Sequence, residues 1–354
     1  MNILLIQYKM IGDVLTSTII AEQLKIIYPN AQIHYLISTT AQAVVENHPC
    51  IDQFICVENK DFDSWRGIIT LAQKLKKNNY SISIDAYGKN NSALLSKLVG
   101  AVQRIGYKKW FSSWTYTTAI KNSPDLSIYK TGLSLGSRML LTTPFTNQVQ
   151  WHLLPKIYLT DNEKIDGKNW LLENNINLSL PITMVSALGS SKDKTLPLAY
   201  MAQVVDKMVK MTGSQILFNY LPSQIDQAFE IYNACLPETQ KHIFIDAITP
   251  SLRDYLKVLT HCTTVIGNEG GAINMGKALD IPSFAIFSPW INKRSWNAGE
   301  DGKRHISIHL KDVQPELYGS KKASAFKKQA QELYQYFKPD LMTSALNNFV
   351  DENY

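Results

Sequence analysis

A carboxylate can act as a general base when it stands where a ligand binds, and Asp13 is placed for that role. It follows Gly12 shortly after the apolar run ILLI at 3–6, and ligands of doubly wound sheets bind beyond the carboxyl ends of the strands. Asp is also a favoured helix N-cap, so the local residues leave a base and a plain cap both open. No Gly-x-Gly-x-x-Gly stands at this turn, which gives a nicotinamide cofactor little support.

Three further stretches carry functional residue types. In GSSKDKTLP, 189–197, small hydroxyl residues such as Ser190 lead into a helix beside Lys192 and Lys194. Amides, hydroxyls and an ammonium suit a diphosphate, although a solvated loop would read the same way. In NEGGAINMGKALDIP, 268–282, Gly270 and Gly271 clear the way for backbone amides at a helix start. Glu269 there would accept hydrogen bonds from sugar or ribose hydroxyls, and a turn needed only for packing is the plainer alternative. In YKKWFSSWTY, 107–116, Lys108 and Lys109 interleave with Trp110, Phe111 and Trp114. Such a mixture suits a bilayer headgroup region or single-stranded nucleic acid, or else an ordinary half-buried loop.

Charge sharpens the picture. The net charge is +6, and between Arg66 and Lys121 ten basic residues face one acid, Asp85. A field of one sign draws an anionic partner. The four cysteines form no CxxC pair and lie near no histidine at metal-ligand spacing, which predicts reduced, buried thiols in a cytoplasmic protein and no metal site. No run is long and apolar enough to span a bilayer, and the opening MNILLIQYKMIGD reads as a strand rather than a signal peptide.

The elements that must position these residues alternate. Strands are predicted at 3–6, 32–38, 54–58 and 81–88, with helices at about 14–28, 65–77 and 92–101; residues 121–150 are less regular and PKIYL at 155–159 closes the first half. An Asn-rich stretch at 171–181 reads as the hinge. A second series has strands at 182–187, 215–220, 242–246, 263–267 and 282–288, with helices between them and a last one at about 323–337. At 354 residues, two parallel α/β domains follow, 1–174 and 175–322, with a tail at 323–354.

Taken in order, these stretches resemble glycosyltransferase family 9, the lipopolysaccharide heptosyltransferases. The motifs are I-G-D-V-L at 11–15, I-D-A-Y-G-x-x-x-S-A-L-L at 84–95, R-I-G-Y at 104–107, the serine-lysine loop at 190–197, I-G-N-E-G-G-A-I-N-M-x-K-A-L-x-I-P at 266–282 and F-S-P at 287–289. The resemblance implies a GT-B fold: two Rossmann-like domains whose parallel sheets face a central cleft, with a C-terminal helix returning to the first. It implies an inverting, metal-independent transfer of heptose from ADP-heptose to a lipopolysaccharide core or related glycolipid. The family's catalytic aspartate falls on Asp13, its donor-phosphate lysine on Lys194, the neighbouring hydroxyl on Ser190, and its donor loop on 268–274. Gly12, Arg66, Lys108 and Lys109 are the expected acceptor contacts.

The chain departs from the family at Glu269, Gly270, Gly271 and Asn274, where Asp-Thr/Ser-Gly and then His are usual, at Leu196 in place of a tryptophan, and at Gln7 in place of a basic residue. Another nucleotide sugar is therefore the alternative donor. A nucleotide-sugar epimerase and a non-catalytic sugar-nucleotide-binding protein are the competing readings. The expected partners are the donor and an anionic glycolipid at the cytoplasmic face of the inner membrane, with no cofactor and no nucleic acid.

Overall fold

The computed structural model describes residues 1–122 and 132–354. Of the stretch 121–150, residues 123–131 lie outside the described residues; the part beyond them holds a helix, Leu133–Leu140. Two compact units divide at Tyr158 and Leu159, each built on one parallel sheet.

In the first unit, β1 (Asn2–Ile6), β2 (Gln32–Ser38), β3 (Gln53–Val57), β4 (Ile82–Asp85), β5 (Gln103–Tyr107) and β6 (Thr118–Ile120) lie in the order β3-β2-β1-β4-β5-β6. Every pairing is parallel, with Ile3 opposite Ile33 on one side and Ile82 on the other. The sequence reason is direct: Ile3, Leu4, Leu5 and Ile6 are fully buried, as a strand covered on both faces requires. The strand order reverses between β1 and β4, and that switch point is where a sheet of this kind opens a crevice at its carboxyl edge. The helix Ile11–Ile27 starts there.

The second unit has β7 (Ile182–Ser186), β8 (Gln215–Asn219), β9 (Thr264–Asn268), β10 (Ser283–Ile286) and β11 (His305–Ile308), ordered β11-β10-β9-β7-β8. Its switch point lies between β7 and β9, so the loops at 187–197 and 269–270 share it.

Several elements differ from expectation. PKIYL at 155–159 joins no sheet, because its alternating apolar residues find no ladder partner. HIFID contributes a single bridge, Ile243 to Ile216. β5, β6 and β11 went unread because their runs are short or polar; β6 and β11 are edge strands.

The helix Asp161–Glu173 belongs to the second unit although it precedes the expected hinge. It packs on the helix Leu252–Leu259, where a Cβ on Gly167 would meet the Lys257 carbonyl oxygen at 2.1 Å, and Glu163 pairs with Arg253 at 2.6 Å. The tail sends Leu333, Tyr334, Phe337, Leu346 and Phe349 into the core of the second unit, and the Tyr354 hydroxyl meets the Thr183 and Thr264 hydroxyls at 2.6 and 2.7 Å. Of the cysteines, Cys235 and Cys262 are buried as expected, but Cys50, in the turn before β3, is half-buried, and Cys56 is exposed because β3 is an edge strand. Among the described residues no helix is long and apolar enough to cross a membrane.

Candidate active site

In the first unit, the turn after β1 is tight enough that Met10, a non-glycine residue, takes φ 66° and ψ 112° as the residue before the helix. Asp13 is the third residue of that helix, and no side chain caps it. The cap reading of Asp13 is therefore excluded. Its Oδ1 instead accepts from Arg138 Nη2 at 2.6 Å. Arg138 reaches it from the helix Leu133–Leu140 with its remaining nitrogens satisfied: Nε donates to Ser17 Oγ at 2.8 Å, and Nη1 to the carbonyl and hydroxyl of Ser134, both at 2.9 Å. The guanidinium side chain is 8% exposed and the carboxylate 29%, so the cation is a buried clamp and the acid keeps an open side. A Cβ added to Gly12 would meet nothing within 4 Å, which leaves room beside the acid.

Next to this turn, at the end of β4, Asp85 is fully buried. It accepts from the Gly88 N–H and the Tyr116 hydroxyl, both at 2.8 Å. Burial pushes its carboxyl up from the ordinary value, against the pull of these donors and of Lys109. Lys109 donates to the Gly88 carbonyl at 2.6 Å, and burial together with Lys89 pushes its ammonium down. Lys109 is thus a half-buried brace of this turn, whereas Lys108 and Arg66 are exposed.

The fold also sorts the basic stretch. Arg66, Lys89, Lys108, Lys109 and Lys121 follow strand ends or start helices at the carboxyl edge, while Lys74, Lys76 and Lys97 occupy last helical turns at the opposite edge. Trp110 is 95% exposed and Trp65 and Trp114 are exposed as well, so the aromatics of this unit are not all packing residues.

In the second unit, Asn268 ends β9 and ties the switch-point loops together. Its Nδ2 donates to the Ala187 carbonyl at 2.8 Å, and its Oδ1 accepts from the Leu196 N–H at 2.8 Å. The loop from Gly189 to Thr195 folds back on itself, with the Gly189 N–H on Thr195 Oγ1 at 3.1 Å and Ser190 exposed. Glu269 is half-buried; burial pushes its carboxyl up, while Lys194 and Lys277 pull it down. Cβ atoms on Gly270 and Gly271 would find open space or only the tip of Met275 at 3.8 Å, so the space in front of this helix start is free. The first N–H groups of the helix Gly271–Ala278 have no acceptor within it and can meet an anion. Asn274 turns its amide back to the Gly270 carbonyl at 3.1 Å.

Ser190, Lys194, Glu269, Gly270, Gly271 and Asn274 thus share one switch point, and Asp13 and Gly12 another. Arg138 was missed in the sequence because it lies in the irregular stretch, although an arginine next to Met139 in an otherwise apolar, small-residue helix is a signal of burial. Trp290 was missed too; its Nε1 donates to the Asp193 carbonyl at 3.0 Å, and it follows F-S-P at a strand end. Among the described residues, no three His, Cys, Asp or Glu side chains are grouped to hold a metal.

Comparison with known proteins agrees with this architecture. The family model for glycosyltransferase family 9 (heptosyltransferase) matches residues 68–317. The chain belongs to glycosyltransferase family 9. It is a glycosyltransferase of GT-B fold with two Rossmann-like domains. It is 20% identical over 294 residues to a lipopolysaccharide heptosyltransferase 1 from Campylobacter coli, covering 81% of this chain and 84% of that one. A family 9 glycosyl transferase from Veillonella parvula superposes with a TM-score of 0.74 at 15% identity, covering 95% of this chain and 97% of the other. The E. coli ADP-heptose lipopolysaccharide heptosyltransferase II superposes equally well, TM-score 0.74 at 16% identity, over 99% and 98% of the two chains.

Proposed function

We propose that this family 9 enzyme transfers heptose from ADP-heptose to a lipopolysaccharide core or related anionic glycolipid, inverting the anomeric centre without a metal. The observation that carries the reading is the placement of Asp13: no cap, beside an open Gly12, one oxygen clamped by Arg138 and the side chain still partly exposed. ADP-heptose is the donor named for the E. coli relative.

In this mechanism Asp13 takes the proton of an acceptor hydroxyl as that oxygen bonds to the anomeric carbon. The bond to the diphosphate breaks on the opposite face, which inverts the centre. The leaving diphosphate gains negative charge, and Lys194, Ser190 and the amides at the start of Gly271–Ala278 stabilise it. Glu269 accepts from hydroxyls of the sugar. Arg66 and Lys108 at the carboxyl edge, both exposed, attract the anionic acceptor.

A donor with another sugar or base is the second reading, favoured by Glu269 and Asn274 where the family usually has Asp and His. The test is transfer from ADP-heptose to a purified core acceptor with excess chelator, with the product's anomeric configuration read by NMR. An inverted heptoside formed in chelator supports the reading. Transfer only from another nucleotide sugar moves the donor assignment, and retention or a need for metal overturns the mechanism.

A further inference from the structure

We propose that Lys327, from the tail of the second unit, is a second cation of the donor-diphosphate site, held beside Lys194 by the indole of Trp290. The inference rests on the reading of the 189–197 loop as the place where the donor diphosphate binds.

Three contacts build the arrangement. Lys327 Nζ lies 4.8 Å from the centroid of the Trp290 ring, and Lys194 Nζ lies 5.9 Å from the same centroid. The ring is fixed to the loop that carries Lys194, since Trp290 Nε1 and Ser288 Oγ both donate to the Asp193 carbonyl, at 3.0 and 2.5 Å. Gln331, four residues beyond Lys327 and at the start of the following helix Ala330–Tyr336, donates from its amide to the Lys192 carbonyl, so the tail is tied to this loop independently of Lys327.

Two ammonium groups on one ring repel each other, and a cation–π contact at an exposed site offsets only about 0.5–1 kcal/mol. Among the described residues, neither Lys194 nor Lys327 makes an ion pair with a carboxylate. Elsewhere in this unit Lys293 pairs with Asp312 and Lys207 with Asp340, both at 2.9 Å, whereas Lys194 and Lys327 share an aromatic ring instead. Two cations without a direct salt bridge, fixed by an aromatic ring beside the switch-point loop, suit a doubly charged diphosphate, and the field of Glu269 on Lys194 leaves the pair with net positive charge. A nucleoside would gain nothing from it.

The experiment compares the binding of ADP and adenosine by calorimetry to the full chain and to Lys327→Ala, Lys327→Arg and Lys194→Ala. Lys327 is exposed, so its loss costs the fold little beyond the cation–π contact. Lys327→Ala should weaken ADP by about three- to tenfold, leave adenosine unchanged and lower the salt dependence of ADP binding, and Lys327→Arg should restore it. If Lys194→Ala weakens ADP while Lys327→Ala binds it as the parent does, the inference is wrong and the donor reading stands. If Lys194→Ala also binds ADP normally, or the parent does not bind it, the reading of the loop fails and the inference falls with it. Equal weakening of ADP and adenosine by Lys327→Ala overturns the diphosphate assignment.

Discussion

Replacing Arg138 by methionine removes the clamp on Asp13 while keeping a long side chain in its place. Asp13 Oδ1 loses a donor at 2.6 Å, Ser17 Oγ one at 2.8 Å, and Ser134 one shared by two oxygens at 2.9 Å. The bond to the carboxylate is charge-assisted, about 1.5–3 kcal/mol, and the neutral ones contribute about 1 kcal/mol each. Two effects reduce the sum. The Asp13 side chain is 29% exposed, so water rehydrates the freed carboxylate, and the desolvation cost of the guanidinium disappears with it. A net loss of about 2–3 kcal/mol remains, which lowers the melting midpoint of the first unit by roughly 4–12 °C. The freed carboxylate also samples several rotamers, and misplacing a reacting group costs about tenfold to a hundredfold in rate. Calorimetric melting with single-turnover kinetics reads both, and Arg138→Lys, which keeps a charge able to reach one acceptor, should fall between parent and Met variant. An Arg138→Met enzyme with parental midpoint and rate would refute the reasoning.

Other outcomes follow from the same contacts. Folding holds the Asp85 proton more tightly than the unfolded chain does, so the stability this acid contributes is present below its ordinary value of 3.8 and lost as pH rises through its raised folded value. Asp85→Asn keeps one acceptor oxygen, for the Gly88 N–H, and turns its amide N–H toward the Tyr116 hydroxyl oxygen, which then accepts; its midpoint should gain on the parent's as pH rises above that ordinary value, and a constant difference across the titration contradicts the assignment. Gly106→Ala places a Cβ 2.2 Å from the Tyr116 ring and should cost about 2 kcal/mol or more, read by denaturant midpoint, since the ring that bonds Asp85 must move. Removing Lys108 and the exposed Trp110 together should weaken co-sedimentation with anionic vesicles at low salt without changing ADP affinity, whereas unchanged sedimentation leaves these residues as solvated surface.

The parallel units were legible because buried strands such as ILLI at 3–6 are continuous apolar runs followed by glycine turns and amphipathic helices. The edge strands were not. His305–Ile308 alternates polar and apolar residues, and Thr118–Ile120 is too short for any periodicity. The helix Asp161–Glu173 has few apolar residues and is fixed by the fit of Gly167 against Lys257 and by Glu163 on Arg253, partners distant in sequence. The same holds at the site. Asp13, Lys194 and the double glycine follow strands and announce themselves locally, but Arg138 reaches Asp13 across more than a hundred residues, and Lys327 meets Lys194 only through Trp290. Spacing along the chain carries no record of such contacts.

The central claim is that Asp13 is the base. Asn at this position keeps an oxygen for Arg138, so the buried guanidinium is not stranded and the fold is preserved. The decisive measurement is the single-turnover rate of sugar transfer by Asp13→Asn against the parent, at saturating donor and acceptor. The account predicts a fall of roughly a hundredfold or more with ADP affinity little changed; a rate close to the parent's would contradict it.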